Sequence, residues 1–270
     1  MHKRNSKELT LQTKIFATGK TGTIGKCLDK SVLELELDLL KVAQCKENLG
    51  GSVLLHLASV IEPHEVENDR SFAEAVNVDG TLQLAEKAMA DGCTRFVFAS
   101  TSHVYASKKS PLKELDPISP LSEYARQKRE AEIGLLQIFS KDLSRLLILR
   151  IFSVLGLSMK AYTLGGTANR ILHGEKNILI QNSSDIRDFM TPEQVAHALE
   201  IISKIETISE PILNLCTGKP STVEHAVRIL LGHHSQKEYN SKFLPGFSKV
   251  PALVGDNSLA RKYILIESKF

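Results

Sequence analysis

Four short stretches of this chain are apolar almost without interruption: Lys14-Ile-Phe-Ala17, Ser52-Val-Leu-Leu-His-Leu-Ala58, Arg95-Phe-Val-Phe-Ala99 and Leu146-Leu-Ile-Leu-Arg-Ile-Phe152. None shows the in-and-out alternation of a strand with one wet face. Strands that are apolar throughout are buried on both sides, which is the condition of a parallel sheet covered by helices. Amphipathic stretches separate them. Residues 77–91 place Val78, Leu82, Leu84, Ala85 and Ala88 toward one side, and 124–141 has a similar pattern. A strand–helix–strand rhythm builds βαβ crossovers and so predicts a doubly wound sheet.

Past Gly156 the rhythm loosens. Gly165-Gly166, the loop at Asn182-Ser-Ser-Asp185 and the Pro245-Gly246 turn interrupt the pattern, while Pro211-Ile-Leu-Asn-Leu-Cys216 reads as one more strand. The expected architecture is α/β, a Rossmann-type doubly wound parallel sheet over 1–155. A small C-terminal substrate-binding region covers 156–270, with 190–217 returning to the sheet. A chain of 270 residues, 42% hydrophobic, can bury such a core.

Other classes fall away on composition. The net charge is +3 and Lys and Arg are scattered, so no nucleic acid is expected as partner. No apolar run approaches the roughly 20 residues of a membrane helix, so no membrane association is expected. The polar, basic opening over 1–14 reads as a short disordered leader. Cys27, Cys45, Cys93 and Cys216 have no CxxC spacing; they read as reduced thiols of a cytoplasmic protein, and no metal site is expected.

The first strand runs into Thr18-Gly19-Lys20-Thr21-Gly22-Thr23-Ile24-Gly25. Glycines at 19, 22 and 25 let backbone amides approach a pyrophosphate at the end of a buried strand. An acidic residue about 20 positions on, at the end of a second strand, would hold the adenosine ribose. Only Glu36 and Asp38 are available, in the alternating stretch Val32-Leu-Glu-Leu-Glu-Leu-Asp38 that reads as an edge strand. Too little chain lies between Gly25 and Asp38 for a full helix and two strands. Either the first helix is cut to a turn or two, or one βα unit is missing.

Tyr124 and Lys128 stand one helical turn apart on one face. A free tyrosine has a pKa near 10, and an ammonium beside it favours the phenolate. The pair is therefore expected to lower the tyrosine toward the working range of a base. Ahead of it the strand at 95–99 opens into Ser100-Thr101-Ser102-His103-Val104-Tyr105. Hydroxyls at a strand's C-terminal end sit where α/β sheets bind ligands, able to hold a substrate oxygen alongside the tyrosine.

Together these residues resemble the extended short-chain dehydrogenase/reductase family, the NAD-dependent nucleotide-sugar epimerases, dehydratases and reductases. The likeness covers nearly the whole chain: TGKTGTIG at 18–25, His56-Leu57-Ala58 where the family has the end of its fourth strand, and Asn77-Val-Asp-Gly80-Thr81 opening a helix. It continues through STSHVY at 100–105, YARQK at 124–128, Arg187-Asp188-Phe189, Asn214-Leu-Cys-Thr-Gly218 and Asp256-Asn-Ser-Leu-Ala260. The resemblance implies Tyr124 as acid/base, Lys128 on the nicotinamide ribose and Thr101 on the reacting oxygen. It implies Gly19, Gly22, Thr23, Ile24 and Gly25 around the pyrophosphate of NAD or NADP. Asp38 would lie near the adenine, with Leu57, Ala58 and Asn77 along the cofactor groove. Arg187 would meet a substrate diphosphate, which suits a guanidinium's several donors, and Ser102, His103 and Ser153 would face the substrate.

Departures narrow the reaction. Family members that dehydrate carry Asp-Glu after the catalytic Thr, where this chain has Ser102-His103; an Arg-Pro-Gly-Asp segment near the C-terminus reads Leu244-Pro-Gly-Phe247, and an expected Asn is Ser153. His103 is either a second acid/base or a loop-orienting residue. The expected activity is epimerisation of a nucleotide sugar by transient oxidation at a hexose carbon, C4. The alternatives are a one-way NADPH-dependent 4-keto-sugar reductase and a non-catalytic dinucleotide sensor or scaffold. The resemblance also implies a homodimer through the helices at 77–91 and 124–141.

Overall fold

The computed structural model describes residues 13–232 and 241–270; most of the leader read over 1–14 lies outside them. Six parallel strands form the main sheet: β1 (Ile15–Thr18), β2 (Leu33–Glu34), β3 (Val53–His56), β4 (Arg95–Thr101), β5 (Leu146–Ile151) and β6 (Ile212–Leu215). Their order is β6-β5-β4-β3-β1-β2, so the direction of winding reverses between β1 and β3. Ligands of open α/β sheets sit outside the carboxyl ends of the strands at such a reversal.

Period two along each strand divides the core between the faces. Phe16, Leu54, Phe96, Phe98 and Ile148 point one way, onto Leu84, Ala85 and Ala88 of α1 (Thr81–Asp91) and Ala131 and Leu135 of α2 (Glu123–Ile138). Ile15, Val53, Leu55, Val97, Leu147 and Leu149 point the other way. There, past α3 (Leu164–Leu172) in chain order, α4 (Pro192–Ser203) packs through Val195, Leu199 and Ile202. The helix α5 (Val223–Gly232) and short strand pairs, among them Ser153–Val154 beside Phe189–Met190, complete the C-terminal part. No helix among the described residues is long and apolar enough to cross a membrane.

The first βα unit is cut short. After β1 a single 3-10 turn, Gly25–Cys27, ends in extended backbone at Leu28, and β2 forms the edge of the sheet. The His56-Leu57-Ala58 motif thus closes the third strand, not the fourth. The strand read over 32–38 shrinks to Leu33–Glu34. The amide of Leu35 makes the last bond to Ala17, after which Leu35, Leu39 and Val42 turn into the core beneath Phe16 and Leu54. Burying those three leucine and valine side chains draws the chain off the sheet edge. Part of the exposed face is taken by α4, whose Glu200 accepts from the Asp29 amide at 2.6 Å. A hollow of about 640 Å³ persists at the N-terminal ends of the strands, between Ile15, Leu33 and Lys204.

A buried polar network joins α2 to the sheet. Arg150 of β5, 1% exposed, donates to both oxygens of Glu132 of α2, 0% exposed, at 3.0 and 2.8 Å. Ser100 and Arg129 donate to the same carboxylate at 2.5 and 3.0 Å. Arg150 also donates to the Tyr105 hydroxyl and the Glu114 carbonyl, each at 2.9 Å. Tyr105 in turn donates to Asn214 of β6 at 2.7 Å. Removing one member of a buried pair strands the other charge. Glu132→Ala is expected to cost about 3–5 kcal/mol in urea unfolding. Arg126→Ala, which breaks an exposed fan of pairs to Glu74, Glu123 and Glu130, is expected to cost about 1 kcal/mol or less.

Candidate active site

One cleft of about 470 Å³ opens at the carboxyl ends of β1, β3 and β4. It gathers Gly19, Gly22, Thr23, Ile24 and Gly25 with Leu57 and Ala58, and also with Thr101, Tyr124 and Lys128. The turn at Gly19 needs glycine twice over. Its φ is +68°, and a Cβ there would stand 2.7 Å from the Ala58 amide nitrogen. The amides of Thr23, Ile24 and Gly25 find no backbone acceptor among the described residues.

A buried relay fixes this end of the cleft. Thr18 Oγ1 accepts from the Leu57 and Ala58 amides at 3.2 Å, so its proton goes to His56 Nδ1 at 2.7 Å. The imidazole therefore carries its proton on Nε2, which meets Thr81 Oγ1 at 2.9 Å. Burial, with Lys128 nearby, pushes His56 down to about 3, so it is a neutral structural group.

Ser122 caps α2 by accepting from the Ala125 amide at 3.2 Å, and the first turn presents Tyr124 to the cleft. Lys128 is buried, its Nζ 4.4 Å from the Phe98 ring centroid and 5.9 Å from that of Tyr124. Burial depresses Lys128 to about 7, against the opposing pull of Glu132 one turn further along. Tyr124 departs from the sequence expectation. Burial first, then the nearby Tyr162, raises its hydroxyl above the usual range, while a hydrogen bond with Ser59 acts the other way. Desolvation outweighs that hydrogen bond.

Thr101, at the end of β4, accepts from the His103 amide at 3.2 Å and keeps its own proton to donate. Ser102 is fully buried, and its Oγ has no partner among the described residues. His103 reaches the surface, and partial burial of its ring, then the charge of Arg187, lower its pKa and favour the neutral imidazole.

The remaining expected residues stand apart from this cleft. Asn77 is buried with its amide fully engaged: it accepts from Ser59 and Val60 and donates to the Val60 carbonyl and Gln127. It fastens the 59–60 loop to α2 and leaves nothing for a ligand. Asp38 caps the 3-10 helix Leu39–Gln44 and is half exposed beside Lys41. Ser153 is not among the residues that line the cleft, although Ile151, Phe152 and Val154 around it are. Arg187 is held at 2.9 Å by the buried Asp185. Sequence reasoning passed over Ser59, Phe152, Val154 and Lys160, all of which line the cleft. Ser59 directly follows the His56-Leu57-Ala58 motif and was within reach of it; Lys160 lies in a loop with no pattern to mark it.

Residues 26–216 match the model of the NAD dependent epimerase/dehydratase family. The chain belongs to that family. It is 29% identical over 203 residues, 72% of this chain, to the UDP-glucuronate 4-epimerase of Thermodesulfobacterium geofontis, and the match spans 61% of that relative. The chain thus covers less than two thirds of the first curated relatives it matches. Among solved structures, MoeE5 in complex with UDP-glucuronic acid and NAD superposes with a TM-score of 0.80 at 22% identity, covering 95% of this chain and 94% of that one. RMD from Pseudomonas aeruginosa complexed with NADPH gives 0.81 at 21% identity, covering 93% and 92%. These two likenesses show the fold.

A dinucleotide of the kind the family name implies fits the residues present at its pyrophosphate and nicotinamide ends, where unbonded amides and Lys128 line the cleft. At the adenosine end Asp38 is turned to other work. Lys128 also gives the family site a measurable signature. Between pH 7 and about 10.5 the unfolded chain binds a proton at this lysine that the folded chain does not, so stability rises with pH across that window. Lys128→Met is expected to stabilise the protein at pH 7 and below, with the gain shrinking toward pH 10.5 in melts taken across the range.

Proposed function

We propose that this family member is a nucleotide-sugar epimerase that works by transient oxidation at C4 of a hexose. The observation that carries the reading is the convergence of Thr101, Tyr124 and Lys128 with the glycine loop in one cleft at the switch of the sheet. A proton-transfer set beside a dinucleotide cradle has no use in a protein that merely binds. The curated relative named a UDP-glucuronate 4-epimerase, at 29% identity, supports the same class.

A bound nicotinamide supplies hydride acceptance and return. The chain's residues do the rest. Thr101, whose hydroxyl proton is free, donates to the reacting sugar oxygen and fixes it against Tyr124. The Tyr124 phenolate takes the proton of that hydroxyl when the C4–H bond is oxidised, and the resulting phenol gives it back on reduction. Lys128, one turn away, holds the ribose by donation and, when protonated, lowers the tyrosine. The apolar walls at Ile151, Phe152 and Val154 exclude water, which strengthens each of these interactions.

The short adenosine side favours a second reading. With Asp38 half exposed and capping its own helix, an exchangeable dinucleotide suits a one-way NADPH-dependent 4-keto-sugar reductase. The two part on stoichiometry. Under the favoured reading, NAD⁺ in hundredfold excess over its dissociation constant adds about 2.7 kcal/mol of stability. C4 epimers of a UDP-hexose then interconvert with no net NADH. Tyr124→Phe keeps the NAD⁺ shift and loses about 10² to 10⁴ in rate. Stoichiometric NADPH oxidation by a 4-keto-sugar without epimerisation moves the assignment to the reductase. A dinucleotide shift with neither turnover leaves the sensor, and the absence of a shift with any dinucleotide overturns both enzyme readings and leaves a scaffold.

A further inference from the structure

The charge in the cleft is one-sided. Among its lining residues only Lys128 and Lys160 are ionic, and both are cations. Lys128 lies against Phe98 and Tyr124. Lys160 belongs to a different wall, the 157–163 segment that leads into α3. Its Nζ stands 5.8 Å from the Tyr162 ring centroid, and Tyr162 is near enough to Tyr124 to oppose its ionisation. Lys160 and Tyr162 are both exposed, so the ammonium stands at the rim of the cleft on the Tyr162 side. Glu62 and Glu65 stand near Tyr162, but neither lines the cleft. Lys160 makes no ion pair among the described residues.

The segment is built to stay where it is. The Thr163 amide and hydroxyl donate to the Lys160 carbonyl at 2.9 and 2.7 Å. The same hydroxyl oxygen caps α3 by accepting from Gly166 at 3.1 Å. A Cβ on Gly165 would run into the Gly156 carbonyl, and one on Gly166 into the Lys160 carbonyl. The glycine pair opening α3 lets the lysine's backbone lie flat on the helix, and so anchors the base of the Lys160 side chain.

An ammonium without an ion pair at the rim of a cleft without carboxylates fits an anion carried by the sugar. On a hexose whose C4 hydroxyl faces Tyr124, C6 is the exocyclic carbon on the neighbouring C5. A carboxylate there is the anion nearest the reacting carbon, whereas the diphosphate hangs from C1 across the ring. We propose that Lys160 binds a C6 carboxylate and makes the substrate a nucleotide-linked hexuronate. This rests on the nucleotide-sugar reading above.

Calorimetric titration of the NAD⁺-saturated protein with UDP-glucuronate and UDP-glucose, a pair that differs only at C6, tests it. The expected result is at least tenfold tighter binding of the glucuronate. Lys160→Met is expected to erase most of that ratio by weakening the glucuronate, and Lys160→Arg to keep it. Equal weakening of both ligands in Lys160→Met assigns the ammonium to the diphosphate. Unchanged binding of both leaves it in solvent. Either result overturns the proposal while sparing the epimerase or reductase assignment. Failure of the unsubstituted protein to bind either sugar nucleotide overturns the nucleotide-sugar reading itself.

Discussion

Arg150 and Glu132 meet at 2.8 Å with almost no contact with water, and the geometry of the cleft follows from how that pair is satisfied. Burying two charges costs several kcal/mol for each ion, repaid only when the remaining donors and acceptors are also bonded. Here Ser100, Arg129, Tyr105 and the Glu114 carbonyl complete the set. Ser100 immediately precedes Thr101, and Glu132 lies one turn beyond Lys128 on α2. The requirement that the pair be fully bonded therefore sets β4 against α2. That setting brings the hydroxyl of one element and the Tyr–Lys pair of the other to the same cleft.

At the other end of the cleft a neutral relay does the comparable job. Thr18, His56 and Thr81 are linked in a buried chain, and Thr18 holds the amides that follow β3 against the turn at Gly19. The relay needs only β1, β3 and the start of α1. It is untouched by the shortening of the first βα unit, which explains how the chain keeps the glycine turn against the end of β3 while the stretch after it is abbreviated. Asn77 belongs with this scaffold: inside the π turn Ala75–Gly80 it ties the 59–60 loop to α2.

The sheet was legible because its strands are buried on both faces, and such strands leave continuous apolar runs. The glycine loop, Thr101, Tyr124 and Lys128 were legible because spacing along a strand end or a helix turn fixes where side chains meet. The 32–38 stretch misled because alternation of Leu with Glu reports only that one side is buried. It does not distinguish a strand from a turn that tucks Leu35, Leu39 and Val42 under Phe16. Arg187 and Asn77 matched a pattern, but their neighbours decide what they do, and Asp185 and Gln127 are neighbours only in three dimensions. Lys160 had no local signal at all, since its place depends on a backbone that lies against a glycine pair.

The pair at 124 and 128 also shows which force wins in a desolvated site. Proximity of an ammonium predicts a depressed tyrosine, yet burial raises Tyr124 and lowers Lys128 to about 7. Desolvation opposes the charged form of each group and so drives both toward neutrality. A charged Lys128 would favour the Tyr124 phenolate, and Lys128 is charged more fully when an anion lies against its side of the cleft. Glu132 contributes in that sense but is shared with two arginines. In a cleft whose lining holds no carboxylate, the further negative charge has to come with the ligand. Occupancy by an anionic ligand and protonation of Lys128 are then thermodynamically linked, each favouring the other.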